Sequence, residues 1–334
     1  CMYDWANSVY SLTITTAVFP SYFISVTGGK ENGMIDFFGL QIENSVLYSF
    51  HLSFAFLLVA LLNPFLSAIA DYKGNKKNFM QFFCYLGAFS CAGLFFFDKN
   101  SIELGVILSV CAGIGYAGSL VFYNAYLPEI VTEDRLDKVS AKGYSLGYIG
   151  SVLLLVFNLV MILQPALFGI PVVADGVAII GSLAPKISFL TVGLWWFGFA
   201  QITFINLKDT KKEIVTKENI FSKGIQELKK VWKETQKLPL LRKYLIGFFF
   251  FSMGVQTVMY LATVFGEEVI GMKMQELIQL VLLLQILAIF GAYLMAKIAE
   301  IKGNIFSLKI TLILWMVVCI AAYFMKAGMV TEYY

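Results

Sequence analysis

Two short stretches decide the fold: Ser67-Ala68-Ile69-Ala70-Asp71-Tyr72-Lys73-Gly74-Asn75 and Ala296-Lys297-Ile298-Ala299-Glu300-Ile301-Lys302-Gly303-Asn304. Both read small-x-Ile-Ala-acid-x-Lys-Gly-Asn, and each follows a long apolar run. A glycine after a lysine suits a tight turn, because glycine enters the left-handed backbone region without steric cost. One such copy is a generic juxtamembrane loop; two at equivalent places mark an internal repeat. The distance between them is filled by apolar segments, and counting those segments gives the architecture.

Of 334 residues, 59% are hydrophobic and 14% charged, and the mean hydropathy is +0.76. Soluble domains run nearer ~45–50% apolar and ~25% charged. A bilayer-crossing helix needs ~20 mostly apolar residues. Nine segments qualify: 2–26, 46–70, 78–97, 102–127, 141–165, 185–207, 243–266, 275–298 and 305–326. The apolar stretch 166–184 carries Pro171, Asp175, Gly176 and Gly181 and reads as a loop grazing the lipid. The two repeat copies follow spans two and eight, six spans apart. Parallel halves of this kind are a known transporter plan.

Lysine and arginine orient the helices. Of the 25 in the chain, only Lys30, Lys99, Lys186, Lys273 and Lys326 fall in connections after odd-numbered spans. The other 20 sit with the even-numbered turns, which the positive-inside rule places in the cytoplasm. The one long charged connection, 208–242, repeats Phe221, Ile225, Leu228 and Trp232 at helical spacing among lysines. It predicts an amphipathic helix on the anionic cytoplasmic leaflet. The expected organisation is therefore 1–207 as a six-helix bundle, 208–242 as a linker and 243–334 as an incomplete second bundle of three helices.

These segments resemble the major facilitator superfamily. The first repeat copy is similar to its loop G-x-x-x-D-R-x-G-R-R/K: Asp71, Gly74 and Lys76 match, while Ser67, Tyr72 and Asn75 depart from it. YDWANSVY (3–10), Asn63-Pro64 through Lys77, YNAYLPEI (123–130), SAKGYSLGYIGS (140–151) and ISFLTVGLWWFGF (187–199) resemble the vacuole effluxer-like branch, which includes fungal autophagy-related amino-acid effluxers and bacterial members. The resemblance implies an all-α integral membrane protein with twelve spans, nine of them present here, as in a fragment that starts inside the first span and lacks the last ones. It implies no cofactor, export of small solutes with amino acids as candidates, protons as a candidate coupling ion, and a bacterial inner membrane as the location. Lipid and a small solute are the expected partners, and nucleic acid is not.

Within this frame, Asp4 is the side chain most open to a chemical role. A carboxylate inside a span costs ~2.5–3.5 kcal/mol on insertion scales and normally faces protein or water. At 100° per residue Asp4, Asn7, Ser8, Ser11 and Thr15 form one polar stripe, suited to a solute pathway. Asp4 then binds a substrate ammonium group or a proton; the competing reading has it capping or latching helices in the headgroup zone. Tyr123 and Asn124 on span four, Asn158 on span five and Gln256 on span seven are further pathway candidates, and interhelical hydrogen bonding is the plainer alternative for each. Asp71, Gly74, Lys76, Glu300 and Gly303 are the expected cytoplasmic gating residues.

Other patterns lead nowhere catalytic. Gly113-x-Gly115-x-x-Gly118 lies in mid-span with no preceding strand, which argues against dinucleotide binding. It is similar to the glycine-rich fourth-helix motif of proton-coupled facilitators, but Ser109 stands at the arginine position. Gly143, Gly147 and Ser151 have the small-xxx-small spacing of close helix packing. Five scattered cysteines and the single histidine, His51, provide neither a metal set nor a catalytic triad. Glu129, Glu133, Asp134 and Asp137 read as a charge-balanced turn. A transporter is the expectation; a non-transporting receptor or scaffold, and then a membrane enzyme, are the alternatives.

Overall fold

The computed structural model describes residues 1–28, 34–73, 76–132, 135–171, 183–207 and 220–324. The chain is built from long helices: α1 (Met2–Val9), α2 (Phe19–Thr27), α3 (Asn44–Lys73), α4 (Lys76–Gly93), α5 (Ile102–Ile130), α6 (Leu136–Leu163), α7 (Leu183–Asn206), α8 (Ile220–Gln236), α9 (Pro239–Phe265), α10 (Met274–Lys302) and α11 (Asn304–Phe324). A π-helical segment, Tyr10–Ala17, joins α1 to α2 into one rod. Seven helices among the described residues are long and apolar enough to cross a membrane: Met2–Thr27, Asn44–Asn63, Lys76–Phe96, Ile102–Ile130, Lys142–Leu163, Leu183–Asn206 and Ile305–Phe324. Lys229–Gln236 and Pro239–Met259 meet at a 110° bend and would make an eighth together. In α10 the apolar run that is described is Glu276–Ala288, so the described residues show seven such helices, or eight if the bent pair is one span.

α10 ends at Lys302, and α3 is described as far as Lys73. Gly303 has φ +86, the left-handed turn expected of it. Gly74 lies outside the described residues, as do the side chains of Asp71 and Glu300. The end of the molecule where these turns lie is the basic end, and the opposite one the far end.

The far end departs from an all-α plan. β1 (Met34–Phe37) pairs antiparallel with β2 (Leu40–Glu43), Ile35 opposite Ile42. Phe38 and Gly39, with φ of 51 and 82, form the two-residue turn whose twist suits a hairpin. Asp36 steadies it, accepting from Gly39 N at 3.0 Å and Gln41 Nε2 at 3.0 Å.

The α1–α2 rod is the central element. Tyr3, Ala6, Val9, Ala17, Val18, Tyr22 and Phe23 are fully buried. Around it α4 packs closely on α5 and α7, and α1 on α6 and α7. The contact of α4 with α5 is made possible by Gly115, whose added Cβ would lie 2.5 Å from Gly87 Cα and 2.7 Å from the Phe83 carbonyl oxygen. The GxGxxG string is thus a helix crossing. The side of α6 facing α1 is likewise made of glycine: a methyl at Gly143 would strike the Asp4 carboxylate, one at Gly147 the Ser8 hydroxyl, and one at Gly150 would come within 3.0 Å of Trp5. Trp5 stacks on Trp195 of α7, whose indole donates to the Trp5 carbonyl oxygen at 3.0 Å.

α9 and α10 join the other helices mainly at the far end. Val264, Leu277, Ile278 and Val281 are buried there. Towards the basic end α9 presents Leu240, Tyr244 and Phe249 to the outside, 81%, 59% and 60% exposed.

Candidate functional site

Two adjoining cavities lie where α9 diverges. The larger, about 580 Å³, separates α3 from α9. Ser49, Ser53 and Asn63 line it from α3, and Ser252, Gln256 and Thr257 from α9, among Phe56, Phe248, Phe249 and Leu261. The smaller, about 120 Å³, continues inward between the rod, α3 and α5. Leu52, Phe56 and Val59 form walls of both, and Tyr10, Ser11, Thr15, Tyr48, His51, Ser109 and Tyr116 line the inner one. Neither lining includes a side chain charged at neutral pH. The arrangement can offer hydroxyl and amide hydrogen bonds on aromatic walls, the composition of a site for a small, largely neutral molecule.

The rod divides the expected polar stripe. Pro20 has no N–H to donate, and its ring crowds the carbonyl four residues earlier. The preceding segment widens to i→i+5 bonding, seen in Val18 N to Thr13 O at 2.8 Å. Thr16 Oγ1 bonds the Ser11 carbonyl across the same interval at 2.9 Å. The 100° step therefore fails after Val9. Ser11 and Thr15 reach the inner cavity, while Asp4 and Ser8 meet the glycine face of α6.

Asp4 is buried and lines neither cavity. The Tyr123 hydroxyl donates to its Oδ2, and the Tyr123 ring lies 5.1 Å from that of Tyr3. Asn7 is buried with its amide nitrogen unpartnered among the described residues. Asn158 is fully buried, and its Oδ1 accepts from Thr191 Oγ1 of α7 at 3.0 Å. Asn124 is exposed. Of the seven pathway candidates, the structure brings Ser11 and Gln256 to the cavities and sets Asp4 with Tyr123 in a separate cluster.

At the basic end Lys76 is buried and pairs with Glu129 at 2.7 Å, and its Nζ also donates to the Ala125 carbonyl oxygen at 3.4 Å. The neighbouring Lys77 donates to the Leu207 carbonyl oxygen at 3.0 Å, beyond the end of α7, where a cation is favourable. Glu133 and Asp134 lie outside the described residues, as do the Asp137 side chain and those of Phe221 and Leu228 in α8. Ile225 and Trp232 of α8 are exposed, 42% and 67%.

His51 is buried, rests edge-on to Tyr48 with centroids 4.9 Å apart, and forms part of the inner cavity wall. Tyr10 and Tyr48 were not singled out by sequence reasoning, because an aromatic in an apolar span carries no signal of what it faces. No group of three or more metal-ligating side chains occurs among the described residues.

Comparison with known proteins agrees with the helical plan. A family model described as "Vacuole effluxer Atg22 like" matches residues 1–332. A Bacillus subtilis (strain 168) protein named as an uncharacterized MFS-type transporter, YxiO, is 31% identical over 326 residues, 97% of this chain and 72% of that protein. Autophagy-related protein 22-1 of Aspergillus clavatus is 23% identical over 350 residues, 83% of this chain and 56% of that protein. The chain thus spans little more than half of that fungal relative. No solved structure gives a significant match. With its family model matched almost end to end, the chain belongs to the vacuole effluxer Atg22-like family of multi-pass membrane proteins.

Proposed function

We propose that this protein is a secondary transporter of the major facilitator type, carrying a small solute of low net charge, amino acids included, by alternating access. The observation that carries the reading is the uncharged, mainly apolar cavity between α3 and α9, into which Ser49, Ser53, Asn63, Ser252, Gln256 and Thr257 bring hydroxyl and amide groups. Residues 1–207 and 243–334 would form the two moving bundles, with 208–242 as their tether. The basic end would lie in the cytoplasm, as the lysine and arginine distribution supports. In that orientation the arrangement corresponds to an inward-facing state. Gln256, Ser252 and Ser11 would bind the solute, while Asp4 and Tyr123 hold the rod against α5 and α6. The name of the bacterial relative and the description of the family model support transport, and nothing in the cavity lining resembles an enzyme's paired acid and base.

The test is flux. The full-length protein in proteoliposomes is offered a labelled amino-acid mixture with and without a pH gradient. Saturable uptake, with apparent KM raised at least severalfold by Gln256→Ala, is the expected result. Saturable binding without flux would overturn the transporter reading in favour of a receptor.

A further inference from the structure

α9 does not end where its apolar run ends. It passes into a π-helical turn, Gly266–Ile270, closed by Gly271 at φ +80. Gly266 is buried, and a methyl there would stand 2.6 Å from Leu277 Cδ2, so the start of α10 clamps the turn. The clamp presses Glu267 inward. Its Oε2 is buried without a hydrogen-bond partner among the described residues. On the facing α2, the Ser21 hydroxyl is fully buried and equally unpartnered, and it is the hydroxyl that acts on the Glu267 carboxyl. Thr263, one turn earlier on α9, has a second buried hydroxyl oxygen without a partner among the described residues. Buried polar groups left unpaired are costly unless something completes them, since each buried unsatisfied group costs about 1–3 kcal/mol.

A proton completes them. We propose that Glu267 is a proton-binding site at the far end, whose neutral carboxyl holds α9 against α2 and whose carboxylate releases that contact. The neutral form brings an O–H donor to a place that holds only a hydroxyl and apolar walls. The charged form would leave an anion facing α2, which has no ionic partner to offer: Phe19–Thr27 contains no acid or base except Tyr22, and its hydroxyl is committed to the Phe97 carbonyl oxygen at 3.0 Å. Glu268 on the same turn adds like charge, and Glu43 of β2 acts on Glu268. From α10, Glu276 accepts from the Lys273 backbone N–H at 2.8 Å. His51 of α3 is enclosed by Phe19, Phe23 and Tyr48.

These surroundings set the direction of the effect. Burial pushes the Glu267 carboxyl up to about 8; the Ser21 hydroxyl opposes that shift, and the Glu268 charge adds a smaller upward push. Parting α2 from α9 would admit water and return the group towards the ordinary ~4.3. Proton uptake therefore favours the closed contact and proton loss the open one. If the far end is external, as the proposed function has it, outside acid closes that side and outside alkali opens it. The proton site itself does not depend on that orientation.

The experiment uses the full-length protein in nanodiscs with no solute present. Infrared difference spectra across a pH titration should show a protonated-carboxyl band lost with a midpoint near 8, absent in Glu267→Gln. Hydrogen exchange at the ends of α2 and α9 should quicken through the same midpoint and stay flat in Glu267→Gln. Ser21→Ala should raise the midpoint, since it removes the hydroxyl that favours the charged form. Glu267→Asp guards against a folding failure: its midpoint shifts, but the band and the exchange still move together. A titration unaltered by Glu267→Gln would overturn the proposal, and so would a Glu267-dependent band with no accompanying change in exchange. Absence of flux in the transport assay would touch neither readout.

Discussion

Gly115→Ala is the sharpest test of how α4 and α5 are held together. The added Cβ would stand 2.5 Å from Gly87 Cα and 2.7 Å from the Phe83 carbonyl oxygen. These are backbone atoms of a neighbouring helix, and no rotamer change can move them aside. Restoring ordinary contact at about 3.5–4.0 Å requires α4 and α5 to separate locally by roughly 1 Å. That separation would also loosen Phe83 and Phe122, stacked at 6.0 Å, and Phe79 and Phe122, at 5.2 Å. Overpacking of this kind costs about 1–3 kcal/mol, partly masked by the gain of about 1 kcal/mol that alanine brings to a helix interior. Gly113→Ala on the same helix isolates the clash. It gains the same propensity, while its Cβ would meet Tyr10 Oη at 3.4 Å and Ala55 Cβ at 3.7 Å, ordinary contacts. Denaturant unfolding in one detergent should therefore rank Gly115→Ala about 1–3 kcal/mol below Gly113→Ala. Equal stabilities would refute the claim that α4 and α5 meet backbone to backbone.

Lys76→Met should destabilise the protein by about 0.2–1 kcal/mol by removing its ion pair with the exposed Glu129, and a double-mutant cycle with Glu129→Gln should show coupling between the two; strict additivity would rule out the pair. Tyr123→Phe should cost about 1–3 kcal/mol in unfolding experiments, because the buried Asp4 carboxylate loses a donor, whereas Asp4→Asn with Tyr123 intact should leave flux and its pH dependence unchanged if Asp4 is a packing residue. Thr191→Val should lower stability by about 0.6–2 kcal/mol by removing the donor to Asn158. Replacing Lys229, Lys230 and Lys233 by Gln should weaken binding of an α8 peptide to vesicles containing anionic lipid by about 1 kcal/mol per lysine, with no comparable change on neutral vesicles.

The helices were legible because long apolar runs mark segments able to cross a membrane, and the turn after α10 was legible because glycine after lysine marks a break: α10 stops at Lys302 and Gly303 takes the left-handed turn. The effect of a break in helical period was not legible. The stripe from Asp4 to Thr15 assumed one uniform helix. Pro20 was a visible warning, but a proline announces a missing hydrogen bond without saying how the preceding turns absorb it. The hairpin had a signal in Phe38-Gly39 between two short alternating runs, and it is obscured by the surrounding apolar sequence. Glu267 escaped notice for another reason. A search for functional acids looks inside the apolar runs, where a charge is conspicuous, and Glu267 stands just past the end of one. Only packing shows that the clamp of Leu277 on Gly266 carries that position into the interior.

The two π-helical segments bear on one another. Tyr10–Ala17 belongs to the rod and Gly266–Ile270 extends α9, and α9 contacts both the first segment and α2. Each sits where a helix must turn polar groups away from its own backbone: Ser11 and Thr15 towards the inner cavity, Glu267 towards Ser21. A helix widened to i→i+5 bonding has a backbone register close in energy to its neighbours, which is why such segments recur at functional sites. In a rigid α-helical rod, the contact at Ser21 and the cavity at Ser11 would move as one body. With a widened segment between them, the α2 end can part from Glu267 while α1 stays locked on the glycine face of α6. The cavity wall, which contains the widened segment itself, would then be reshaped whenever the far contact opens. That coupling predicts that a Thr16→Val change, which removes the 2.9 Å bond from Thr16 Oγ1 to the Ser11 carbonyl, should alter hydrogen exchange in the 10–18 segment and at the end of α2 together. Exchange that changed in the first without the second would mean the rod does not relay motion, and would confine Glu267 to a local latch.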